Sequence, residues 1–383
     1  MYAQRNHRNR RVCILVITHN CNLNCAYCYE THKSSKRMSF ELAQNIIRQE
    51  VSLVNNSKDY EELEIDFMGG EPLMRFDFIR KIVEWLEVTD ISIKWFCFAT
   101  TNGTLLDNEM KEWFKLHAKS ISLGLSYDGT TQMQIKNRGT KSYNIDLCFF
   151  ANTWPLQEFQ ITISKKTLST LAKGILELQR KGYLVNMALA QGESFDNEDA
   201  LIYHEQLTIL KDAYLSDCSV TPISCFTRPI DINNVPPEIQ TLTCGCGKNI
   251  ISYDFDGHAY GCHMFTKLVL GDKAITIDKI NWQDSYGFTD KYCSNCILKT
   301  FCRTCPGANL KYRGNLSFRD QGFCSMMLAE AVTICEFQIE NLALLKTLNE
   351  QELHYGYLAL KAYKILEKID IHNNIAPFNV SNV

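Results

Sequence analysis

The sequence predicts an α/β protein: a partial, open (β/α)6 barrel, then a small cysteine-rich C-terminal domain and terminal helices. Three observations carry this reading. Apolar strand-like stretches alternate six times with helical stretches over roughly 200 residues, and such alternation implies parallel pairing with right-handed crossovers. Eight units closed into a barrel need ~250 residues, so six in this span leave it open. Finally, eight of the 17 cysteines fall between Cys244 and Cys324, after the alternation has ended.

Taken in order, Val12–Ile17 is an apolar run of buried-strand type, followed at once by Cys21, Cys25 and Cys28 in the spacing C-x3-C-x2-C. Ser39–Leu53 reads as a helix, with Ser39 as N-cap and Glu41 in the first turn. The strand Leu63–Met68 runs into Gly69-Gly70-Glu71-Pro72. A helix over 75–88, a strand over 91–103 and a helix over 107–117 follow. The strand 121–129 ends in Ser126-Tyr127-Asp128-Gly129, a helix lies near 144–152, and Arg138 falls in the loop between them. Strands at 157–164 and 184–191, with helices at 168–181 and 198–214, complete the six units. The expected organisation is a basic tail (1–11), the barrel (12–215), a linker (216–243), the cysteine-rich domain (244–330) and a helical extension (331–383). Within the extension, helices at about 325–349 and 351–368 are expected to pack on the barrel through Leu342, Leu345 and Leu348, with a frayed end after Ile369.

Composition sets bounds on function. A net charge of −3 argues against a general nucleic-acid binder, despite the basic first eleven residues. No uninterrupted apolar run approaches the roughly 18 residues of a membrane span, and MYAQRNHRNRR lacks a signal-peptide core. A cytoplasmic protein without a membrane is expected. In that compartment stable disulfides are disfavoured, so clustered cysteines point to metal ligation. Cys13, Cys97 and Cys148 sit in apolar stretches and read as small core residues, and Cys218 and Cys225 as unliganded thiols.

Three thiolates on one short loop can bind three irons of a [4Fe–4S] cube and leave the fourth open to a chelating small molecule. A structural zinc loop is the alternative, but zinc normally takes four protein ligands. The spacing, with Tyr27 just before the last cysteine, resembles the radical S-adenosylmethionine (SAM) enzymes, a family known for the partial TIM-type barrel. The resemblance implies that Cys21, Cys25 and Cys28 hold a cube whose open iron takes the amino and carboxylate groups of SAM. It implies that Gly69, Gly70 and Glu71 receive the SAM ammonium and that Ser126 contacts the ribose. It further implies that Arg138 pairs with the SAM carboxylate, a surface salt bridge being the alternative, that Tyr27 lies against the adenine, and that Asn102 is a polar strand end of the site.

The second cysteine group opens with CGCGKNIISYDFDGHAYGCHMF (244–265). Asp256-Gly257 between two short apolar runs, Ile250–Phe255 and His258–Cys262, signals a hairpin. Cys293, Cys296, Cys302, Cys305 and Cys324 follow. This pattern resembles the SPASM extension of radical SAM enzymes, although the spacer Cys302-x2-Cys305 is one residue shorter than the family's. The resemblance implies two auxiliary [4Fe–4S] clusters, for three in all. One would be held by Cys244, Cys262 and Cys305, the other by Cys293, Cys296, Cys302 and Cys324. Zinc knuckles are the alternative for Cys293–Cys305. For the first auxiliary cluster Cys246 is a candidate fourth ligand, and an open iron is the other possibility.

By this resemblance the expected function is a peptide maturase. It would cleave SAM to a 5′-deoxyadenosyl radical and modify a ribosomally made peptide, with a thioether or carbon–carbon crosslink as the expected product. An external electron donor such as flavodoxin or ferredoxin is implied. Only twenty residues precede Cys21, so leader recognition is expected to fall to a partner protein or to the barrel surface. One alternative is an anaerobic sulfatase-maturing enzyme. That family has an aspartate base directly after the cysteine of the G-x4-C element, where this chain has His263. A histidine can also accept a proton. A non-catalytic iron–sulfur or zinc protein is the third possibility, but such a module has no use for a Gly-Gly-Glu site.

Overall fold

The computed structural model describes residues 9–232, 244–284, 286–294, 296–302, 304–344 and 349–369. Most of the basic tail, the end of the linker, Leu345, Leu348 and the chain beyond Ile369 lie outside the described residues.

The alternation is present. In chain order it runs β1 (Arg10–Thr18), α1 (Phe40–Asn55), β2 (Glu62–Gly69), α2 (Phe76–Val88), β3 (Lys94–Thr101), α3 (Asn108–Leu116) and β4 (Ile121–Leu125). Then come α4 (Thr131–Arg138), α5 (Leu147–Thr153), β5 (Phe159–Ile163), α6 (Leu171–Arg180), β6 (Val185–Leu189), α7 (Asn197–Ser216) and the short α8 (Ser224–Thr227). The cysteine-rich part adds β7 (Ile250–Tyr253), β8 (Ala259–Tyr260), α9 (Lys267–Leu270) and α10 (Pro306–Arg313), and α11 (Gln321–Leu344) and α12 (Glu350–Leu366) close the chain. Ser39 caps α1 as expected, its hydroxyl accepting from the Leu42 N–H at 3.2 Å.

Strands β1 to β4 pair in parallel in the order β4-β3-β2-β1. Their sequences require it: β1 is buried from Arg11 to Thr18 on both faces, as a strand covered by helices on either side must be. β5 and β6 pair with each other, and β5 meets the end of β4 through the bridge Ser126–Gln160.

The expected hairpin forms, with β7 and β8 antiparallel at Ser252–Tyr260 and Tyr253–Ala259. β7 also pairs in parallel with β1, from Val12–Ile250 to Leu15–Tyr253, which extends the sheet to β4-β3-β2-β1-β7-β8. A buried ion pair pins this edge: Arg11 Nε lies 2.6 Å from Glu50 Oε2, and the Tyr253 hydroxyl donates to Glu50 Oε1 at 2.6 Å. The chain accordingly forms two compact units. The first contains the chain through Tyr127, Gln134–Gln160 and Cys244–Gln283; the second contains Asp128–Met133, the chain from Ile161 to the linker, and the chain from Asp284 on.

Three expectations need correction. α4 occupies what reads as loop, so Arg138 is the last residue of a helix. Cys148 is exposed, although Cys13 and Cys97 are buried in the core. In the second unit, α11 reaches the barrel by packing on α7, but Leu342 faces α12: a Cβ on Gly356 would lie 1.7 Å from Leu342 Cδ1. α11 is also long and apolar enough by composition to cross a membrane. Glu330 and Glu336 interrupt its apolar run in the sequence, yet 67% of the apolar window is buried within the fold, as in the core helix of a globular unit.

Candidate functional site

In the first unit, β1 ends at Thr18 and leads into the cysteine loop. The end of β2 zips onto that loop, with the Gly70 N–H donating to Thr18 O at 3.2 Å and the Glu71 N–H to Asn20 O at 2.9 Å. This seating explains the glycine pair. A Cβ on Gly70 would stand 2.5 Å from Asn20 O and 2.8 Å from Cys21 Cβ, and one on Gly69 2.2 Å from Thr18 O. Further along the loop, Asn22 donates to the Thr104 hydroxyl at 2.7 Å and accepts from Asn102 Nδ2 at 3.0 Å. The Ala26 N–H donates to Asn137 O at 2.7 Å. A turn with the Cys28 N–H on Cys25 O, at 3.1 Å, brings the last two cysteines round.

A lysine sits among the three thiols. Lys33 Nζ donates to Leu23 O at 2.9 Å. Burial works against its charge, but Cys28, Cys21, Glu30 and Cys25 outweigh that and raise its pKa. Burial also pushes the Glu30 carboxyl up to about 8, with Lys33 opposing.

The expected SAM contacts lie around this loop, all within the first unit. Glu71 is buried, which raises its pKa against the pull of four groups. These are the Asn102 N–H at 2.8 Å, the Thr101 hydroxyl at 2.7 Å, the Leu73 N–H at 3.0 Å and the charge of Arg138. A carboxylate accepts about four hydrogen bonds, so Glu71 braces the ends of β2 and β3 and keeps about one acceptor position in hand. Arg138 is buried, with its guanidinium 5.4 Å from the centre of the Tyr27 ring. Ser126 is fixed at the end of β4 by its N–H on Thr101 O, at 2.9 Å.

The hairpin brings its own cysteines into the same unit. The neighbouring Cys244 and Cys262 thiols raise the pKa of Cys246, and Cys246 in turn lowers that of Cys244 to about 6. Cys246 therefore stands with the two cysteines that bracket the hairpin. Next to Cys262, His263 Nε2 lies 3.2 Å from the hydroxyl of Tyr29, which follows Cys28. Desolvation holds His263 at a pKa of about 4, so near neutral pH its imidazole is in the proton-accepting form.

In the second unit one cavity is lined by Cys293, Cys296, Cys302, Cys305 and Cys324, together with Gln191 from the end of β6. Burial raises the Cys302 thiol, and Cys324, Cys293 and Cys296 add to the effect, so these four lie close together. Burial, with Cys324 next, pushes Cys293 up to about 12. Cys305 N-caps α10, its sulfur 3.4 Å from the Ala308 nitrogen.

Thiolates are the ligands that iron–sulfur cubes take. Among the described residues no three His, Cys, Asp or Glu side chains close on a single metal ion. A cube asks for a different arrangement, because each thiolate takes its own iron. Sequence reasoning missed Lys33, among the first three thiols, and Arg319, which lines the same cavity as Cys324. Neither occupies a motif position, and the only available signal was a basic residue five positions from a cysteine.

Residues 15–144 match the family model described as the radical SAM superfamily. The radical SAM cyclopropyl synthase TigE of Paramaledivibacter caminithermalis is 22% identical over 343 residues, covering 82% of this chain and 71% of that protein. A cysteine-type anaerobic sulfatase-maturating enzyme of Clostridium novyi is 30% identical over 128 residues, 31% of this chain and 32% of its own length. An uncharacterized protein of Methanocaldococcus jannaschii, MJ0907, is 37% identical over 116 residues, 30% of this chain and 38% of its own length. The chain thus matches less than two fifths of the last two relatives. Among solved structures, anSMEcpe with bound AdoMet superposes with a TM-score of 0.62 at 15% identity, covering 91% of this chain and 98% of that one. SuiB of Streptococcus suis bound to its precursor peptide SuiA gives 0.56 at 17% identity, covering 82% and 76%. At such identities these two likenesses establish the fold.

Proposed function

We propose that the chain is a radical SAM enzyme that matures a ribosomally made peptide by abstracting hydrogen from carbon, forming a thioether or carbon–carbon crosslink. The supporting observation is the seating of Gly69-Gly70 on the cysteine loop, which gathers Tyr27, Glu71, Asn102 and Arg138 around three thiols. The peptide substrate class is suggested by the relatives: SuiB is solved with a precursor peptide, and TigE is a cyclopropyl synthase that matches most of this chain.

Bound at Cys21, Cys25 and Cys28, a [4Fe–4S] cube with SAM supplies a primary carbon radical able to attack an unactivated C–H bond; the protein's part is orientation and exclusion of water. Glu71, with Gly69 and Gly70, receives the SAM ammonium at its spare acceptor position. Arg138 offers a planar guanidinium fork to the carboxylate. Tyr27 lies against the adenine, Asn102 closes the polar wall, and Ser126 meets the ribose. Cys293, Cys296, Cys302 and Cys324 hold one auxiliary cube, and Cys244, Cys246 and Cys262 contribute to the other. His263 is the candidate base for the proton lost from the substrate. Electrons come from an external donor of the flavodoxin or ferredoxin kind, in the cytoplasm.

The test is anaerobic incubation of the protein with SAM, a reductant and a short peptide encoded beside its gene. 5′-Deoxyadenosine and a peptide lighter by two hydrogens are expected. Replacing Cys21, Cys25 and Cys28 together with Ala should abolish the nucleoside and leave about eight irons, at roughly four per remaining cube. SAM cleavage at the unmodified rate in that variant would overturn the reading.

A further inference from the structure

The cavity of the second unit holds a buried cation as well as thiols. Arg319 is 8% exposed and lines the same cavity as Cys293, Cys296, Cys302 and Cys324. Burial raises the Cys324 and Cys293 thiols, and Arg319 opposes that rise at both. Asp290 fixes it in place: its Oδ1 lies 3.3 Å from Arg319 Nη1, and its Oδ2 accepts the Arg319 N–H at 3.2 Å. The guanidinium lies 4.9 Å from the centre of the Tyr292 ring. Arg313 lines the cavity too, but it is engaged by Asp320 at 2.8 Å, Asn309 at 2.6 Å and Phe318 O at 2.8 Å.

We propose that Arg319 is a positioning residue that raises the reduction potential of the cube held by Cys293, Cys296, Cys302 and Cys324. The inference rests on the proposed reading of those four cysteines as cube ligands. A cube held by these cysteines would accept the one electron given up when the substrate radical is oxidised, with no bond made or broken there, and the cube and its thiolates would become more negative by one charge. A fixed cation lining the same cavity stabilises that state, and the net charge around a cluster is an established lever on such potentials. Arginine keeps its charge at any working pH, so the effect is permanent. Asp290 stands on the other side of the balance: its charge acts against reduction while its hydrogen bonds keep Arg319 aimed.

The test is a redox titration of the reconstituted full chain without oxygen, followed by electron paramagnetic resonance. The relevant signal is the one lost in Cys296→Ala. Arg319→Gln is expected to shift its midpoint negative by a tenfold or larger change in the reduction equilibrium, or 59 mV per tenfold for one electron. Arg319→Lys, which keeps the charge, should stay nearer the unsubstituted value. Asp290→Asn should shift the midpoint positive. An unchanged midpoint in iron-replete Arg319→Gln overturns the inference, and so do shifts of the same sign in Arg319→Gln and Asp290→Asn, which would mark a packing effect. Full iron content in Cys296→Ala would overturn the cube itself, and this inference with it.

Discussion

At Gly70 the chain has no room for a methyl group, since Asn20 O and Cys21 Cβ both crowd the position. Forcing one in costs roughly 1–3 kcal/mol where the surroundings must shift, and here what shifts is the cysteine loop. Gly70→Ala should therefore lower iron at the first site and SAM cleavage together, while circular dichroism stays unchanged. Normal iron content would show that the glycine pair serves some other purpose. Cys246 supports a second expectation at this scale. Its thiol neighbours those of Cys244 and Cys262, which raise its pKa, where spacing alone left it open whether it joins them. Cys246→Ala should lower iron from about twelve towards about eight per chain, at roughly four per cube. An unchanged twelve would leave Cys246 as a neighbour of the ligands only.

Most elements were legible because their cues are local. Ser39 marks the start of α1, and the apolar run of β1 and the cysteine spacing need no knowledge of distant chain. α4 was not legible, because TQMQIKNR carries little apolar periodicity. Three of its polar residues are buried: Arg138, Gln134, whose amide donates to Ser142 O at 3.1 Å, and Asn137, whose carbonyl holds Ala26. The pairing of β7 with β1 was hidden for a different reason: alternation announces a strand but not its partner. Once formed, that edge depends on Glu50, which is 2% exposed and bonded by both Arg11 and Tyr253. Removing one partner of a buried ion pair typically costs 3–5 kcal/mol, because the other charge is left uncompensated. Glu50→Gln should lose about that much in a denaturant titration, whereas Arg80→Gln, on an exposed pair, should lose under about 1 kcal/mol. Equal losses in the two variants would mean that β7 is not held through Glu50.

Across the molecule, the parts proposed for starting the reaction and those proposed for finishing it fall into different units. Cys21, Cys25, Cys28, Tyr27, Glu71, Asn102, Ser126 and Arg138 all belong to the first; Cys293, Cys296, Cys302 and Cys324 all belong to the second. If the second set holds a cube that only collects the electron left after hydrogen abstraction, SAM cleavage does not require it. Cys296→Ala should then still release 5′-deoxyadenosine, uncoupled from peptide, while the modified peptide disappears. Cysteine clusters also hold small regions of chain together, so loss of the metal can unfold them. Circular dichroism and an iron content of about eight per chain, for two remaining cubes, must first show that the variant is folded. Given that control, normal peptide product would leave the second unit's cysteines a structural role at most. Loss of 5′-deoxyadenosine along with the product would mean that initiation depends on both units, and the division of labour drawn from the fold would be wrong.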